Sequence, residues 1–354
     1  MRTVTVKLSD TYRVCIGRNL ISSLGEMLKS VLPPCRAVVI TDSNVDALYG
    51  DIVRHSLCQA GYPALKYVFA PGEHSKNLHT TGSILDFLAG HQITRGDIII
   101  ALGGGIPGDV AGFAAAIYTR GIRFVQVPTT LLSAVDASVG GKTAVNLRAG
   151  KNLVGAFHQP SLVLTDVDIM QSLPQPLLSE GAAEIIKYGV IADAELFHKM
   201  CVPDWTTGLE SIIARCIAIK SEIIRKDEYD YGARRVLNFG HTFGHALEKL
   251  SDYTLTHGQA VAAGMVMAAA AARNPEVCRR IAKANRNCGL PVYFPFDPLL
   301  LAEKALSDKK RSGNALSLVL PERIGKCNII ETPIEEIPAC FLRGQRLAEE
   351  YTCA

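Results

Sequence analysis

The 354-residue sequence lacks several features that mark common classes of protein. No apolar run reaches the roughly 18 residues that a transmembrane helix needs, and the most apolar window, Val261 to Ala272, predicts a buried helix instead. The amino-terminal residues MRTVTVKLSD alternate polar and β-branched side chains and lack the apolar stretch of a signal peptide. They are typical of a first strand.

Basic blocks and paired cysteines are also absent. Lysine and arginine are spread along the chain without a block interleaved with aromatics, and the formal net charge is only +3, so we expect no nucleic-acid partner. The ten cysteines fall singly and form no C-x-x-C pair, which predicts reduced, mostly structural thiols. Together these features favour a cytoplasmic protein with no membrane partner.

What the first half contains is an alternation of short β-rich runs and helical stretches, up to about residue 170. This alternation predicts a parallel sheet flanked by helices. The clearest strands are AVVITD, LKYVFA, DIIIALGGG and RFVQVP. Apolar residues at helical spacing predict helices over Val45 to Ala60 and Leu78 to Ala89.

The second half is mainly helical from about residue 175. The predicted helices are Leu177 to Ile191, Leu209 to Arg225, His241 to Leu250, Gln259 to Ala272 and Pro275 to Asn287. Two β-like runs, SLVL and CNII, precede a last helix that begins near Ile334. We therefore predict two domains, an α/β domain over residues 1–172 and a mainly α-helical domain over residues 173–354.

Histidines and a carboxylate in the second half are the most informative polar residues. His241 and His245 are four residues apart, so a helix would place them on one face. His257 and the upstream Glu184 complete a possible metal site, and three such ligands would leave a position open for substrate. The alternative is that these are ordinary core or surface residues.

A glycine-rich turn, Gly103-Gly104-Gly105, follows a predicted strand and precedes Asp109. Glycines at this point let the backbone approach a pyrophosphate at the start of a helix. The spacing is not G-x-G-x-x-G, and a tight connection is the alternative, but the position after a strand favours nucleotide binding.

Polar residues after other predicted strands have two readings each. Asp42 and Asn44 follow AVVIT, where an acidic side chain could bind ribose hydroxyls or could cap the next helix. Glu73 and Lys76 in PGEHSK could contact a nucleotide or form a solvated turn.

Further cations and polar groups could bind an anionic ligand. Gly140-Gly141-Lys142 presents an ammonium group after paired glycines, although the spacing is not that of a P-loop. Glu184 and Lys187 are three apart on a predicted helix with apolar neighbours, which favours burial over an exposed ion pair. Other cations that could bind substrate, or lie at the surface, are Lys220, Arg234, Lys309 and Lys310.

Taken together, the sequence resembles the 3-dehydroquinate synthases, within the sugar-phosphate cyclases. The segments that carry the resemblance are GGGIPGD, YTRGIRFVQVPTTLLSAVDASVGGKTAVN, GKNLVGAFHQP, EGAAEIIKYG, RRVLNFGHTFGHALE and HGQAVAAGM. The resemblance implies an amino-terminal Rossmann-like NAD-binding domain and a helical carboxy-terminal domain that binds metal and substrate. It also implies a divalent metal, zinc or cobalt, and a homodimer.

The resemblance also implies roles for individual residues. The metal ligands would be Glu184, His241 and His257. The NAD contacts would be Asp42, Asn44, Glu73, Lys76, Gly104, Gly105, Asp109, Thr129, Thr130 and Lys151. The substrate contacts would be Asp136, Lys142, Asn152, Lys187, Lys220, Arg234, Asn238, His245 and Lys310, with Lys309 an alternative to Lys310. Arg120 would reach across a dimer interface.

The implied reaction converts 3-deoxy-D-arabino-heptulosonate 7-phosphate to 3-dehydroquinate and phosphate, in the shikimate pathway of aromatic amino-acid biosynthesis. It combines transient oxidation by NAD, phosphate elimination, re-reduction and intramolecular aldol closure. Three alternatives are another cyclase such as a 2-deoxy-scyllo-inosose synthase, a metal-dependent polyol dehydrogenase, and a non-catalytic nucleotide-binding protein. Departures from the family pattern are Ile106-Pro107, Ala144 and Gln259.

Overall fold

The computed structural model describes residues 1–307, 311–312 and 314–351, with the backbone alone for 311–312. The chain divides into two compact units. The first unit comprises Met1–Leu173 and Ile213–Tyr229, and the second comprises Pro174–Ile212 and Asp230–Ala354. Our division at residue 172 differs over 213–229, because apolar periodicity predicts a helix there but not the core on which that helix packs.

Nine strands lie in the first unit. They are β1 (Arg2–Lys7), β2 (Thr11–Gly17), β3 (Ala37–Asp42), β4 (Ala64–Phe69), β5 (Ile98–Gly103), β6 (Arg123–Pro128), β7 (Lys142–Leu147), β8 (Gly150–Phe157) and β9 (Leu162–Asp166). Seven of these form one sheet in the order β1-β2-β9-β6-β5-β3-β4. β1 and β2 are antiparallel, and the other neighbours are parallel. The predicted parallel sheet is confirmed, although the sequence analysis did not identify β2 and β9.

The first unit also contains six helices before residue 173. They are α1 (Leu24–Leu28), α2 (Ser43–Val45), α3 (Asp51–Gln59), α4 (Leu78–Gly90), α5 (Gly105–Ile117) and α6 (Val167–Gln171). A π-helical turn, Asp46–Gly50, joins α2 to α3. All six residues of β5 are buried, as expected for a parallel strand with both faces covered. The core includes Val38, Ile40, Ile99, Val110 and Phe124.

Strands β7 and β8 form a separate antiparallel hairpin in the polar, glycine-rich stretch, which the sequence analysis left without a secondary structure. Ala144 lies opposite Gly155 in this hairpin. A Cβ atom at Gly155 would lie 2.1 Å from the carbonyl oxygen of Thr143, so the close approach of the strands requires glycine there.

The second unit is mainly helical and carries one small sheet. Its helices are α7 (Gln175–Ala192), α8 (Ala194–Met200), α10 (His241–Leu250), α11 (His257–Ala271), α12 (Pro275–Asn287), α13 (Pro298–Leu306) and α14 (Ile337–Glu350). Helix α9 (Leu209–Lys226) begins in this unit, and its residues from Ile213 belong to the first unit. The antiparallel sheet is β10 (Arg311–Ser312), β11 (Ala315–Arg323) and β12 (Lys326–Pro333).

Helices α10 and α11 approach each other closely through glycines. A Cβ atom at Gly264 would lie 2.2 Å from the carbonyl oxygen of Gly240, and one at Gly244 would lie 2.9 Å from that of Ala260. Any side chain at these positions would force the helices apart. Because His241 and His257 are the first residues of α10 and α11, this contact brings the two histidines together.

Neither a disulfide nor a helix that could span a membrane occurs among the residues that the structure describes. The nine cysteines among them are free thiols. None of the helices that the structure describes has the combination of length and hydropathy that spanning a bilayer requires.

Candidate metal centre and cofactor-binding residues

Glu184, His241 and His257 converge on one point in the second unit. Glu184 lies on α7 and is 0% exposed. Its Oε1 atom is 3.4 Å from Nε2 of His241 and 3.3 Å from Nε2 of His257. One ligand atom from each of the three residues lies within 4.8 Å of the others. Two imidazoles and a carboxylate in this arrangement could bind one divalent cation such as zinc.

The surroundings of Glu184 fit a cation. Both of its carboxylate oxygens are buried and lack a well-formed hydrogen bond within the described part of the chain. Lys187 contacts Oε2 as an ion pair and is itself 2% exposed. A buried carboxylate is costly unless opposite charge or a metal compensates it. The Lys187 ammonium group compensates part of this cost, while the carboxylate and the two facing imidazoles supply the donor atoms for a cation.

The second ring nitrogen of each histidine faces an oxygen. Nδ1 of His241 is 3.1 Å from the carbonyl oxygen of Phe239. Nδ1 of His257 is 3.7 Å from Oε1 of Glu248, a carboxylate on α10. The two rings thus share one arrangement, with Nε2 toward Glu184 and Nδ1 toward an oxygen. The oxygen is a neutral carbonyl for His241 and a carboxylate, at a longer distance, for His257.

The protonation equilibria of the cluster follow from burial and these charges. Burial lowers the pKa of His241 to about 4, although Glu184 opposes the shift. Burial also tends to lower the pKa of His257, but the carboxylates of Glu184 and Glu248 outweigh it and raise this pKa to about 10. Burial tends to raise the pKa of Glu184, but Lys187 and the histidines hold it well below its usual value.

His245 lies beside the cluster and faces a different carboxylate. Its ring centroid is 5.4 Å from that of His241 and 6.2 Å from that of His257. Its Nε2 atom is 4.0 Å from Oε2 of Glu248. His245, Glu248 and His257 form a second group whose ligand atoms lie within 4.8 Å of one another. The sequence analysis missed Glu248, although its spacing from His241 and His245 places all three on one helix face.

Other predicted residues of the second unit lie in the segment before α10. Arg234 is 3% exposed and Asn238 is partly buried, and both belong to the 3-10 helix Ala233–Asn238. This short helix ends at the residue before Phe239, whose carbonyl faces His241. Lys309 and Lys310 lie outside the described residues.

In the first unit, the glycine-rich turn connects β5 to α5. Gly103 has φ 152, and a Cβ atom there would lie 2.4 Å from Cγ of Pro107, so only glycine fits. Gly104 caps α5, and Gly105 is its first residue. Thr129 is buried and donates its N–H to the carbonyl oxygen of Gly103 at 2.9 Å. Thr130 Oγ1 accepts from the N–H of Ser133 at 3.3 Å.

Five predicted cofactor contacts of the first unit make polar interactions with each other or with their neighbours. Lys76 is 6% exposed, and its Nζ atom forms an ion pair with Asp109 on α5. Burial raises the pKa of Asp109, and Lys76 opposes that shift. Glu73 is exposed, and its Oε1 atom accepts from the side chain of Asn146 at 2.7 Å. Asp42 caps α2, accepting from the N–H groups of Asn44 and Val45 at 2.9 and 3.1 Å.

The remaining predicted residues of the first unit occupy three places. Asp136 and Lys220 form an ion pair at 3.0 Å, and Lys220 also donates to the Asp136 carbonyl at 2.8 Å. The hairpin carries Lys142 on β7, and Lys151 and Asn152 on β8. Arg120 is exposed and ends a 3-10 turn after α5.

Two departures from the family pattern, Gln259 and Pro107, each lie at the start of a helix. Gln259 completes a capping box at the start of α11, where its side-chain oxygen accepts from the N–H of Thr256 at 3.2 Å. Glu180 on α7 reinforces the same helix start by accepting from Gly258 N at 2.7 Å. Pro107 lies in the first turn of α5, where proline costs no helical hydrogen bond.

Comparison with known proteins identifies the family. The family models for the 3-dehydroquinate synthase N-terminal and C-terminal regions match residues 66–180 and 181–311. The chain belongs to the 3-dehydroquinate synthase family. The resemblance stated from the sequence motifs is thereby confirmed.

Full-length relatives show the same similarity. The 3-dehydroquinate synthase of Clostridium kluyveri is 38% identical, over 95% of this chain and 97% of the relative. That of Enterococcus faecalis is 40% identical, over 96% of this chain and 98% of the relative. That of Streptococcus gordonii is 42% identical, over 92% and 95%.

Solved structures share the fold over nearly the whole chain. A 2-deoxy-scyllo-inosose synthase complexed with carbaglucose-6-phosphate, NAD+ and Co2+ is 27% identical, has a TM-score of 0.87, and covers 97% of this chain and 100% of its own. A Streptomyces hygroscopicus 2-epi-5-epi-valiolone synthase with NAD+ and Zn2+ is 27% identical, with a TM-score of 0.85 over 99% and 100%. A glycerol dehydrogenase from Schizosaccharomyces pombe, 17% identical with a TM-score of 0.69 over 96% and 90%, shows the fold alone.

Proposed function

We propose that the protein converts 3-deoxy-D-arabino-heptulosonate 7-phosphate to 3-dehydroquinate and phosphate in the shikimate pathway. Family membership makes the chain an enzyme, a phosphate-eliminating carbon–oxygen lyase that closes a carbocycle. The observation that supports the reaction most strongly is the convergence of Glu184, His241 and His257, because a family fold without these ligands would have no means of polarising the substrate.

The enzyme uses NAD and a divalent metal, zinc or cobalt, as the family and the ligands of its structural relatives indicate. Glu184, His241 and His257 would hold the metal, which when bound supplies a Lewis acid for a hydroxyl and the ketone formed from it. The turn at Gly104 and Gly105 would hold the NAD pyrophosphate at the start of α5, and NAD when bound supplies a reversible hydride acceptor. The other proposed NAD contacts are Asp42, Asn44, Glu73, Lys76, Asp109, Thr129, Thr130 and Lys151.

The side chains proposed for the substrate suit an anion. Arg234 is 3% exposed and Lys220 is 5% exposed, and buried cations of this kind favour a substrate with a carboxylate in addition to its phosphate. The other proposed substrate contacts are Asp136, Lys142, Asn152, Lys187 and Asn238, together with Lys310, which lies outside the described residues.

His245 is the residue that we propose for proton transfer at the hydroxyl that is oxidised. Its ring lies beside those of His241 and His257, and its Nε2 atom is 4.0 Å from Oε2 of Glu248. A histidine near the metal ligands can accept a proton without giving up a metal contact. We also propose that the enzyme is a cytoplasmic homodimer in which Arg120 completes the partner's site.

The experiment is to incubate the purified protein with the heptulosonate phosphate and catalytic NAD, and to measure phosphate release with and without a chelator. We expect many phosphates per NAD, no lasting absorbance at 340 nm, and loss of turnover after chelation that zinc or cobalt restores. Phosphate release that is unaffected by complete metal removal would contradict the proposal.

The same assay separates the alternatives. A polyol dehydrogenase would accumulate NADH in proportion to product. A cyclase of the 2-deoxy-scyllo-inosose synthase type would release phosphate from a hexose phosphate without a carboxylate in preference to the acidic substrate. A non-catalytic nucleotide-binding protein would release none from either.

A further inference from the structure

Glu248 is a buried carboxylate in the second unit with no role in the site described so far. It is the eighth residue of α10 and is 5% exposed. Its two oxygens face different histidines, with Oε1 3.7 Å from Nδ1 of His257 and Oε2 4.0 Å from Nε2 of His245. A carboxylate is expensive to bury, so its place between two imidazoles calls for a physical reason.

The reason lies in the chemistry of a histidine that binds metal. Such a ring uses one nitrogen as the ligand and keeps a proton on the other, and that N–H donates a hydrogen bond to a nearby oxygen. In this chain Nε2 of both His241 and His257 faces Glu184. The outer nitrogen of His241 has a backbone carbonyl, that of Phe239, while the outer nitrogen of His257 has Glu248.

We propose that Glu248 is a positioning residue that orients His257 with Nε2 toward Glu184, while its second oxygen restrains His245. A carboxylate partner fixes the tautomer and makes the imidazole a stronger ligand than a neutral carbonyl does. The two histidine ligands are therefore unequal, and Glu248 is the source of the difference. The proposal rests on the proposed function only in taking the cluster as a metal site.

The main test measures metal binding in the absence of substrate. The metal-free protein and its Glu248→Gln variant are titrated with Co²⁺ against a competing chelator. Glutamine keeps the shape and one oxygen but removes the charge, so we expect affinity to fall by roughly 10- to 100-fold. The matched control is Glu276→Gln on α12, because Glu276 is an exposed carboxylate that forms an ion pair with Arg279. It should leave the affinity within about twofold.

A second readout distinguishes positioning from mere packing. In the Co²⁺ protein, the ring N–H protons of the two ligand histidines give exchangeable proton resonances that the paramagnetic ion shifts far from the others. In Glu248→Gln we expect one of them, that of His257, to move or to exchange faster, while that of His241 keeps its position because Phe239 is unchanged. In Glu248→Asp, which restores the charge, the His257 resonance should persist with intermediate affinity.

Unchanged affinity and two unchanged resonances in Glu248→Gln would overturn the proposal. Equal displacement of both resonances, with a lower melting temperature of the metal-free variant, would also overturn it, because Glu248 would then serve packing in general. A protein that binds Co²⁺ as described but releases no phosphate would reject the proposed reaction and leave the assignment of Glu248 supported.

Discussion

The ionisable residues of the two units are arranged in opposite ways. In the second unit, His241, His257 and Lys187 all face the single carboxylate of Glu184. In the first unit, the residues proposed for NAD make separate local contacts, such as the Lys76–Asp109 pair and the helix cap at Asp42. A metal ion needs several ligands at one point, whereas an extended dinucleotide makes contacts that are spread along its length. The metal cluster of the second unit therefore requires tertiary packing to bring its ligands together, whereas the separate NAD contacts of the first unit require only polar residues at the ends of strands.

Removal of a metal ligand should have the largest effect on the cluster of the second unit. We expect His257→Ala to lower metal affinity by more than about 100-fold, because it removes a direct ligand rather than a residue that supports one. Metal analysis of the purified, desalted variant measures the loss. Glu276→Ala, which removes an exposed side chain of the same unit, is the control. Full metal occupancy in His257→Ala would show that the ring is not a ligand.

Replacing His245 should separate proton transfer from metal binding within the same cluster. We expect His245→Ala to lower turnover by roughly 100- to 10,000-fold, as is typical when a general acid–base is lost. Its metal content should change far less. Turnover and bound metal are measured on the same preparation, and equal loss of both would identify His245 as a ligand instead.

The corresponding change in the first unit is Lys76→Met. We expect it to weaken NAD binding by roughly 10- to 100-fold, because a hydrogen bond to a charged group contributes about 1.5–3 kcal/mol. Bound metal should stay unchanged, since the metal ligands all lie in the second unit. Calorimetric titration with NAD measures the effect. The double variant Lys76→Met/Asp109→Asn controls for the carboxylate that loses its ion pair in the single variant. Normal NAD affinity in both variants would show that Lys76 does not contact NAD.

The pH dependence of metal affinity sharpens the contrast between the two histidines. In the metal-free protein the pKa of His257 is raised to about 10 and that of His241 is lowered to about 4. Between about pH 7 and 9 only His257 must therefore lose a proton when metal binds, and affinity should rise about tenfold per pH unit. Competition titrations corrected for chelator protonation measure this slope. A slope near zero or near two would contradict the assignment.

The fold was largely predictable where one face or both faces of an element are apolar. The strand β5 and the first four residues of β3 are continuous apolar runs, and α11 is buried from Ala260 to its end at Ala271, as expected. The hairpin β7–β8 was not predicted, because its pairing depends on a glycine that lets two strands approach, and the local composition resembles that of a loop. The placement of Ile213–Tyr229 depends on tertiary packing, which periodicity does not report.

The candidate site was predictable only in part, for a related reason. Helical spacing places His241 and His245 on one face, but the approach of His257 is set by the glycine contact between α10 and α11. Glu180 was missed because it acts on a residue 78 positions away, and Glu248 because its contact with His257 depends on the packing of α10 against α11. A glutamate on a helix is ordinarily a solvated residue.

The most direct test of the central claim is X-ray absorption spectroscopy of the cobalt- or zinc-loaded protein. The arrangement of Glu184, His241 and His257 predicts a first shell of nitrogen and oxygen with two imidazole rings and no sulfur. Nine free cysteines among the described residues make sulfur ligation a real alternative. Sulfur in the first shell, or scattering from fewer than two imidazoles, would contradict the assignment.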